Sequence, residues 1–368
     1  MPETKDISQL TVAQMSQQLT LAYTSVINAK LPLSNIPSVM IWGPPGVGKS
    51  QGIRQIATDV SMLTGKRVIV TDVRLLLFNP VDLRGIPTAN ADKTLAVWLK
   101  PKIFQMDESE ECINILFLDE LSAAPPSVQA AAYQITLDRT VGEHQLPSNC
   151  IVIAAGNRVT DRSAAFNMPK ALANRLCHIE IVSDIGSWKN WAYRKGINHM
   201  VVGYISANPT YLMGFNPEND GLAFPTPRTW EMVSNILNSV TDNPSNIFPL
   251  IAGCIGSDIA TDFCAWSEIY GKIPTIESVL AGKATTVPTR PEALYALVGD
   301  LTLAAHVFKT ERAVCNLVTY TAKLAPEFKH ILFSDLLKIE DIRPTLKMCK
   351  EYCEWFEQTE HYWEDYDL

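Results

Sequence analysis

The sequence lacks several features that would place the protein in a membrane or outside the cell. No apolar run reaches the roughly 18 residues that a membrane-spanning helix requires, so we expect no membrane span. The first residues do not follow the basic-then-apolar plan of a signal peptide. The 8 cysteines are scattered along the chain, which favours reduced, buried thiols over a disulfide framework. These absences predict a cytoplasmic protein.

The sequence also lacks the excess of positive charge that broad contact with nucleic acid requires. Lys and Arg number 31 against 39 Asp and Glu, which gives a net charge of −8 and a pI of about 5.3. This balance argues against a broad nucleic-acid surface, although a local basic pore remains compatible with it. No internal repeat or low-complexity segment is present, and the length of 368 residues predicts two or three structural units.

The most informative stretch is a glycine-rich loop that follows the pattern G-x-x-x-x-G-K-S. A predicted strand (39–42) precedes it and a predicted helix (51–62) follows it, as a phosphate-binding loop requires. Glycines let backbone N–H groups converge on phosphate oxygens, and the helix N-terminus adds its positive dipole end. A glycine-rich turn that binds nothing is the alternative. The residues that we predict to bind nucleotide here are Gly43, Pro44, Pro45, Gly46, Val47, Gly48, Lys49, Ser50 and Gln51.

Two further strand ends carry polar side chains that suit ATP hydrolysis. An apolar run at 113–118 ends in Asp119 and Glu120, and another at 150–155 ends in Gly156 and Asn157. Carboxyl ends of parallel strands meet at the active-site edge of a sheet. Lys49 is therefore predicted to reach the β and γ phosphates. Ser50 would bind Mg²⁺ directly, and Asp119 would bind it through a water molecule.

Glu120 and Asn157 are the predicted catalytic residues that act on water. Glu120 is placed to activate the attacking water, and Asn157 could orient it. Asn after Gly is also a common turn pair, so a purely structural role for Asn157 is the alternative.

The order of apolar and helical segments predicts an α/β protein. Five apolar runs alternate with helical segments, which indicates a three-layer αβα core over a parallel five-stranded sheet. A hairpin is predicted at about 86–98, and helical patterns dominate after residue 183. The predicted strands are 39–42, 67–72, 113–118, 150–155 and 176–182. The predicted domains are an N-terminal helix in 1–35, the ATPase core in 36–183, a helical lid in 184–310, and a helical C-terminal extension in 311–368 with an acidic, aromatic tail.

Taken in order, these motifs resemble those of AAA+ ATPases. The segments 43–50, 115–120 and 155–157 resemble Walker A, Walker B and sensor 1. The segments that look like the MoxR-type branch are 79–85, 124–126 with Gln129, 168–175, and the lid entry at 224–228. The resemblance covers about residues 36–310 and implies a P-loop NTPase that hydrolyses ATP with Mg²⁺.

The resemblance also implies a homo-oligomer, a hexameric ring with nucleotide at each subunit interface. In that ring Arg175 would be the arginine finger that acts on the neighbour's γ-phosphate, and Arg228 would be sensor 2. Arg162 is a candidate second trans-acting arginine, and the hairpin at 86–98 would face the pore. One departure is that Glu120 is followed by Leu-Ser-Ala, where the family usually has Asn-Arg.

Three functions remain open from the sequence. The first is a chaperone-like remodeller of a protein partner, which the resemblance suggests could be a von Willebrand A domain protein. The second is a nucleic-acid-stimulated motor or restriction-type translocase subunit, against which the small positive charge of the hairpin counts. The third is a scaffold that binds ATP but hardly hydrolyses it, against which Glu120 and Asn157 count. The acidic tail is either solvated or a docking segment.

Overall fold

The computed structural model describes residues 7–158, 161, 168, 170–216, 218, 221–240, 243–270, 274 and 276–359. These residues form two compact units. One contains the described residues up to 184 and around 215–220, and the other contains those in 185–214 and from 221 onward. No helix in the described part of the chain has both the length and the apolar composition for crossing a bilayer.

The first unit is built on a parallel sheet flanked by helices. Its strands are β1 (Ser8–Leu10), β2 (Val39–Trp42), β3 (Arg67–Arg74), β4 (Ile86–Ala89), β5 (Ala96–Leu99), β6 (Cys112–Asp119), β7 (Thr140–Val141), β8 (His144–Gln145), β9 (Cys150–Gly156) and β10 (Cys177–Ile181). Its helices are α1 (Val12–Asn28), α2 (Lys49–Thr64), α3 (Pro80–Arg84), α4 (Pro126–Asp138) and α5 (Lys170–Ala173). Single 3₁₀ turns lie at Leu33–Asn35, Leu75–Leu77 and Lys102–Phe104.

The main sheet has six strands in the order β1-β10-β2-β9-β6-β3, and every pairing is parallel. All five predicted strands are present, which confirms the α/β fold class. The predicted count of five is nevertheless one short, because β1 lies within the segment 1–35, for which only a helix was predicted. β1 is only three residues long, and it is a strand because it pairs with β10, for example Ser8 with Ile179. A segment this short has no hydrophobic periodicity from which a strand could be predicted. The helix begins after Thr11, whose hydroxyl accepts a hydrogen bond from Gln14 N at 3.2 Å.

The sheet is buried on both faces, which makes the unit three-layered. Val39 and Ile41 of β2 pack with helices α1 and α2, whereas Met40 packs with α4 on the opposite face. α1 lies close against α2 at Gly52, where an added Cβ would be 2.5 Å from Met15 Cε. The sheet thereby holds the loop between β2 and α2 at the point where the strand order reverses, which is where ligands bind in open α/β sheets.

The second unit is helical in its described residues. Its helices are α6 (Ile185–Lys195), α7 (His199–Ala207), α8 (Pro227–Ser239), α9 (Phe248–Ile255), α10 (Ser257–Tyr270), α11 (Ile276–Leu280), α12 (Pro291–Val307), α13 (Glu311–Thr321), α14 (Pro326–Leu337), α15 (Arg343–Leu346) and α16 (Lys350–Thr359). Its 3₁₀ turns are Pro209–Leu212, Pro244–Ile247 and Glu340–Ile342. Residues 347–349 separate α15 from α16. A nearly buried ion pair joins Lys189 of α6 to Asp335 of α14 at 2.5 Å.

The predicted hairpin at 86–98 is also present in the first unit. β4 and β5 pair antiparallel, with Ile86 opposite Leu99. Asn90 ties its turn, because Asn90 Oδ1 accepts hydrogen bonds from Thr94 N at 2.9 Å and Leu95 N at 3.2 Å. The hairpin is therefore an ordered projection with a defined turn.

Candidate functional site

The loop between β2 and α2 has the backbone conformation of a phosphate cradle. Gly48 has φ +106°, which only glycine adopts without strain, and it directly precedes the first turn of α2. A Cβ on Gly43 would lie 2.9 Å from the carbonyl oxygen of Ile181, so the first glycine permits a close backbone approach. The predicted nucleotide-binding residues 43–48 form this loop, and Lys49, Ser50 and Gln51 form the first turn of α2.

The side chain of Lys49 joins the loop to a neighbouring strand end. Its Nζ donates hydrogen bonds to the carbonyl oxygens of Gly43 at 2.6 Å and Pro44 at 3.1 Å. It also donates to Oδ1 of Asn157 at 2.8 Å, at the end of β9. The structure therefore brings together the two residues that the sequence predicted to face the γ-phosphate and the attacking water.

The predicted metal ligands also lie together. Ser50 Oγ donates to Asp119 Oδ2 at 3.3 Å, which places a hydroxyl and a carboxylate side by side. Oxygen ligands of this kind fit Mg²⁺, which takes one or two protein oxygens and completes its shell with water and phosphate. Among the described residues no group of three or more His, Cys, Asp or Glu side chains could hold a metal ion alone. One hydroxyl and one carboxylate leave most of the coordination shell of such an ion to water and phosphate oxygens.

Asp72, near the end of β3, is an acidic residue of this edge that the sequence interpretation did not single out. Burial raises the pKa of its carboxyl, the charge of Asp119 raises it further, and Arg74 and Arg54 lower it. Asp72 is the last residue of the predicted strand 67–72. The rule that singled out Asp119, a carboxylate at the carboxyl end of a strand, would therefore also have singled out Asp72.

Glu120 has an unusual backbone conformation at the end of β6. Its φ is +60°, in the left-handed region that non-glycine residues seldom occupy. The turn is held by hydrogen bonds from Leu121 N to Ala155 O at 2.9 Å and from Glu120 N to Asp119 Oδ1 at 2.9 Å. Strain of this kind, costing about 1–3 kcal/mol, persists where the surroundings impose it and is concentrated at functional sites.

A second hydrogen-bonded group holds the end of β9. Ser122 Oγ donates to the carbonyl oxygen of Asn157 at 2.9 Å. Gln129 Nε2 donates to the carbonyl oxygens of Ser122 at 3.2 Å and Ala124 at 3.0 Å. Gly156 leaves the room for this packing, since a Cβ there would lie 2.5 Å from Ser122 Oγ. Ser122 thus has a positioning role that its residue type alone did not suggest.

A mostly buried ion-pair cluster holds the segment that follows Asn157. Arg158 bonds Asp161 at 3.0 Å and also pairs with Glu180 of β10. Gln9 of β1 donates to the other oxygen of Glu180 at 3.1 Å. Removing one partner would leave an uncompensated charge in a poorly solvated place, so this cluster fixes the chain beside Asn157.

The three arginines that the resemblance singled out are not all placed in the first unit. Arg175 is exposed in the turn that follows α5, in the first unit. Arg228 is exposed in the first turn of α8, in the second unit, where Pro227 begins the helix. Arg162 lies outside the described residues, as do the tail residues after 359. The geometry therefore brings together Lys49, Ser50, Asp119 and Asn157.

Comparison with known proteins shows a match to one protein family over part of the chain. Residues 38–178 match the model of the ATPase family associated with various cellular activities, abbreviated AAA. No curated protein matches the chain. Similar solved structures include PCH-2 of C. elegans, with 12% identity over 69% of this chain and 68% of that chain and a TM-score of 0.35.

Two further similar structures are from prokaryotes. NtrX from Brucella abortus in complex with ADP has 16% identity over 92% of this chain and 70% of that chain, with a TM-score of 0.38. The Aeropyrum pernix ORC2 protein has 10% identity over 98% of both chains, with a TM-score of 0.40. Residues 38–178, which contain the loop at 43–48 together with Ser50, Asp119 and Asn157, are therefore the part of the chain that is similar to the AAA family.

Proposed function

We propose that this chain is a MoxR-type AAA+ ATPase that hydrolyses ATP and uses the cycle to remodel a protein partner. The observation that carries the proposal is the meeting of Lys49, Ser50, Asp119 and Asn157 at the carboxyl ends of β2, β6 and β9. Each has the chemistry that one part of a triphosphate or its attacking water requires. The family match over residues 38–178 supports the same assignment.

The reaction is ATP + H₂O to ADP and phosphate. Backbone N–H groups of the loop and the N-terminus of α2 bind the phosphate oxygens. Lys49 exchanges part of its hydrogen bonding to loop carbonyls for phosphate oxygens and offsets their charge. Glu120 accepts a hydrogen bond from the attacking water, and Asn157 aligns it. Ser50 and Asp119 would hold Mg²⁺, which when bound neutralises charge on the β and γ phosphates.

The remaining groups come from assembly. We propose that copies associate in a ring, a hexamer, in which Arg175 of one copy stabilises charge on the γ-phosphate bound to the next. An arginine supplied in this way contributes roughly 10³–10⁵ in rate in related enzymes. Arg228 would report nucleotide to the helical lid. We also propose that the helical part divides into a lid and a C-terminal extension, and that the protein is cytoplasmic.

The β4–β5 hairpin supports a protein partner over nucleic acid. Three of its apolar side chains are largely exposed, at 64% for Ile86, 66% for Leu95 and 58% for Leu99. A groove of about 560 Å³ adjoins it, lined mainly by apolar residues together with Asp82, Lys100 and Lys102. Exposed apolar surface of this kind marks contact with polypeptide, whereas a nucleic-acid contact requires a denser basic surface.

The hairpin is also joined to the site. His144 of β8 contacts the carbonyl oxygen of Trp98 through Nε2 at 2.8 Å. Gln134 of α4 donates to Gly142 O at 3.3 Å, and Gln129 on the same helix bonds the segment that holds Asn157. A change at the end of β9 therefore has a continuous hydrogen-bonded route to the projection, through which hydrolysis could move a partner.

Phosphate release by the purified chain tests the catalytic assignment. Glu120→Gln should lower kcat by at least about 100-fold while leaving the affinity for a fluorescent ADP nearly unchanged. The matched control is Glu111→Gln, an exposed residue that directly precedes β6, and this variant should retain full turnover. Hydrolysis by Glu120→Gln at the wild-type rate would make the assignment wrong.

The partner class is tested by stimulation of the same turnover. A permanently unfolded, carboxymethylated protein should raise the wild-type rate, and Leu95→Ser should abolish that increase without changing the basal rate. Single- and double-stranded DNA should leave the rate unchanged. Stimulation by DNA that falls steeply as salt rises would instead favour the nucleic-acid motor.

A further inference from the structure

A histidine on β10 links the phosphate-binding loop to the segment that carries Arg175. Trp42 is the last residue of β2 and directly precedes Gly43. Its indole Nε1 donates a hydrogen bond to Nδ1 of His178 at 2.9 Å. The two ring planes are 17° apart and their centroids are 6.0 Å apart, so the rings lie nearly coplanar and edge to edge.

The other ring nitrogen of His178 reaches the opposite side. Its Nε2 lies 2.7 Å from the carbonyl oxygen of Ala173, the last residue of α5. Arg175 follows two positions later in the chain. A single imidazole thus bridges the end of the strand before the nucleotide loop and the end of the helix before the arginine.

The partners of His178 determine its protonation. The indole nitrogen can only donate a hydrogen bond and the carbonyl oxygen can only accept one. Nδ1 of His178 must therefore be unprotonated and Nε2 must carry the proton, which is the neutral Nε2–H tautomer. The bond from Trp42 requires an unprotonated Nδ1 and the bond to Ala173 requires a proton on Nε2, so only this tautomer makes both bonds at once.

The strand register explains why the bridge forms here. β10 and β2 pair in parallel, with Glu180 opposite Trp42 and His178 opposite Met40. His178 and Glu180 share a face because they are two residues apart on a strand, so His178 is a diagonal neighbour of Trp42 on one face of the sheet. The face that holds this bridge is therefore fixed by the same pairing that positions the loop.

We propose that His178 is a positioning residue that couples nucleotide occupancy of the loop at 43–48 to the orientation of Arg175. This rests on the proposed function, in which Arg175 acts on the nucleotide of the next copy. Phosphate binding next to Gly43 displaces Trp42, His178 transmits the displacement to Ala173 O, and the turn carrying Arg175 follows. Occupancy in one copy thereby adjusts hydrolysis in its neighbour.

The kinetic test uses two substitutions that remove the bridge in different ways. Trp42→Phe keeps an aromatic ring and removes the indole donor, and His178→Leu removes both bonds. Each should lower kcat about tenfold, the scale of one lost hydrogen bond, and bring the Hill coefficient for ATP toward one. The Kd for fluorescent ADP should change by less than about twofold, because the loop itself is intact.

Combining each bridge substitution with Arg175→Ala tests whether the bridge lowers kcat through Arg175. In that background Trp42→Phe and His178→Leu should lower kcat no further, since residues that act as one unit are not additive. An equal loss in both backgrounds would overturn the coupling. If Arg175→Ala lowers turnover but the two bridge variants do not, the coupling is wrong and the proposed function stands. If Arg175→Ala leaves turnover unchanged, the trans-acting arginine is wrong and the coupling falls with it.

A spectroscopic readout tests the bridge without catalysis. In the ¹⁵N-histidine-labelled full chain, long-range ¹H–¹⁵N correlations should show the neutral Nε2–H tautomer for the signal that is missing in His178→Leu. Addition of ADP should shift that signal. A Nδ1–H tautomer, or a signal that ADP leaves in place, would overturn the proposal.

Discussion

Lys49 Nζ lies 2.8 Å from Asn157 Oδ1, so the lysine of the phosphate loop and the amide at the end of β9 are direct hydrogen-bond partners. The two residues belong to neighbouring strand ends, and a γ-phosphate would compete with the amide for the same ammonium group. The charge at position 157 should therefore control nucleotide affinity as well as hydrolysis.

Asn157→Asp should weaken ADP binding by about tenfold, because a carboxylate would form a charge-assisted bond with Lys49 that phosphate must displace. Asn157→Ala is the matched variant, which should lose turnover but keep ADP affinity within about twofold. Titration of fluorescent ADP measures both. Equal affinities in the two variants would show that Lys49 does not depend on this partner.

Asp72→Asn should raise the melting temperature of the nucleotide-free protein. The folded state raises the pKa of Asp72 through burial and the charge of Asp119, so the ionised carboxyl destabilises the fold. That cost is present above the raised pKa and disappears as pH falls below the usual value of 3.8. Because the carboxyl is largely exposed, solvent screens the effect, and we expect a gain of at most about 1 °C at pH 7.5 that shrinks as the pH approaches 4.

Scanning fluorimetry across that pH range measures the effect. Asp92→Asn, in the exposed turn of the β4–β5 hairpin, is the control and should change little. A gain for Asp72→Asn that is independent of pH would exclude ionisation as its cause.

Gly85→Ala should disrupt the hairpin. Gly85 has φ +93°, and a Cβ there would lie 2.0 Å from the carbonyl oxygen of Leu99, which is backbone and cannot rotate away. We expect a loss of roughly 1–3 kcal/mol and new protease cleavage within 86–99. Gly65→Ala separates backbone strain from steric clash, because Gly65 has φ +68° but open space around it. This variant should lose less stability than Gly85→Ala. An equal loss of stability in the two variants would attribute the effect to backbone strain alone.

His199→Gln should flatten the pH dependence of stability in the helical unit. Burial lowers the pKa of His199 to about 4 from 6.5, although Asp300 Oδ1 lies 3.5 Å from its Nδ1. Between pH 6.5 and about 4 the unfolded chain binds a proton that the folded chain does not, so stability falls as the pH falls through this window. Above pH 6.5 the two states bind equally and no dependence is expected.

Thermal melts at pH 7.5 and pH 5 measure the difference. The wild-type melting temperature should drop by about 2–5 °C more than that of the variant. An identical drop in both proteins would show that His199 does not contribute. Because the comparison is between the two drops in melting temperature, a pH-independent change in packing caused by the substitution cancels.

The sequence predicted the parts of this molecule that depend on local pattern. The loop at 43–50, the strand ends at Asp119 and Asn157, and the hairpin each have a signal within a few residues, and the structure places each as expected. Their roles in catalysis stay predictions until the variants are measured.

Other features depend on pairing between distant segments. Trp42 and His178 are 136 residues apart, so no local pattern predicts their hydrogen bond. β1 has only three residues, and the strand exists because β10 offers an edge. The role of Ser122 likewise depends on Asn157, which is 35 residues away.

The contact between α1 and α2 has a consequence for where this protein can be shortened. Met15 fills the space that Gly52 leaves open, and Ser16 Oγ donates to Gly52 O at 3.4 Å. The family match begins at residue 38, after this helix. A truncation starting there would retain all the predicted ATP contacts in the first unit, yet it would strip the apolar covering from the helix whose first turn holds Lys49 and Ser50. We expect such a fragment to aggregate, so the smallest working nucleotide domain extends well upstream of the homologous segment.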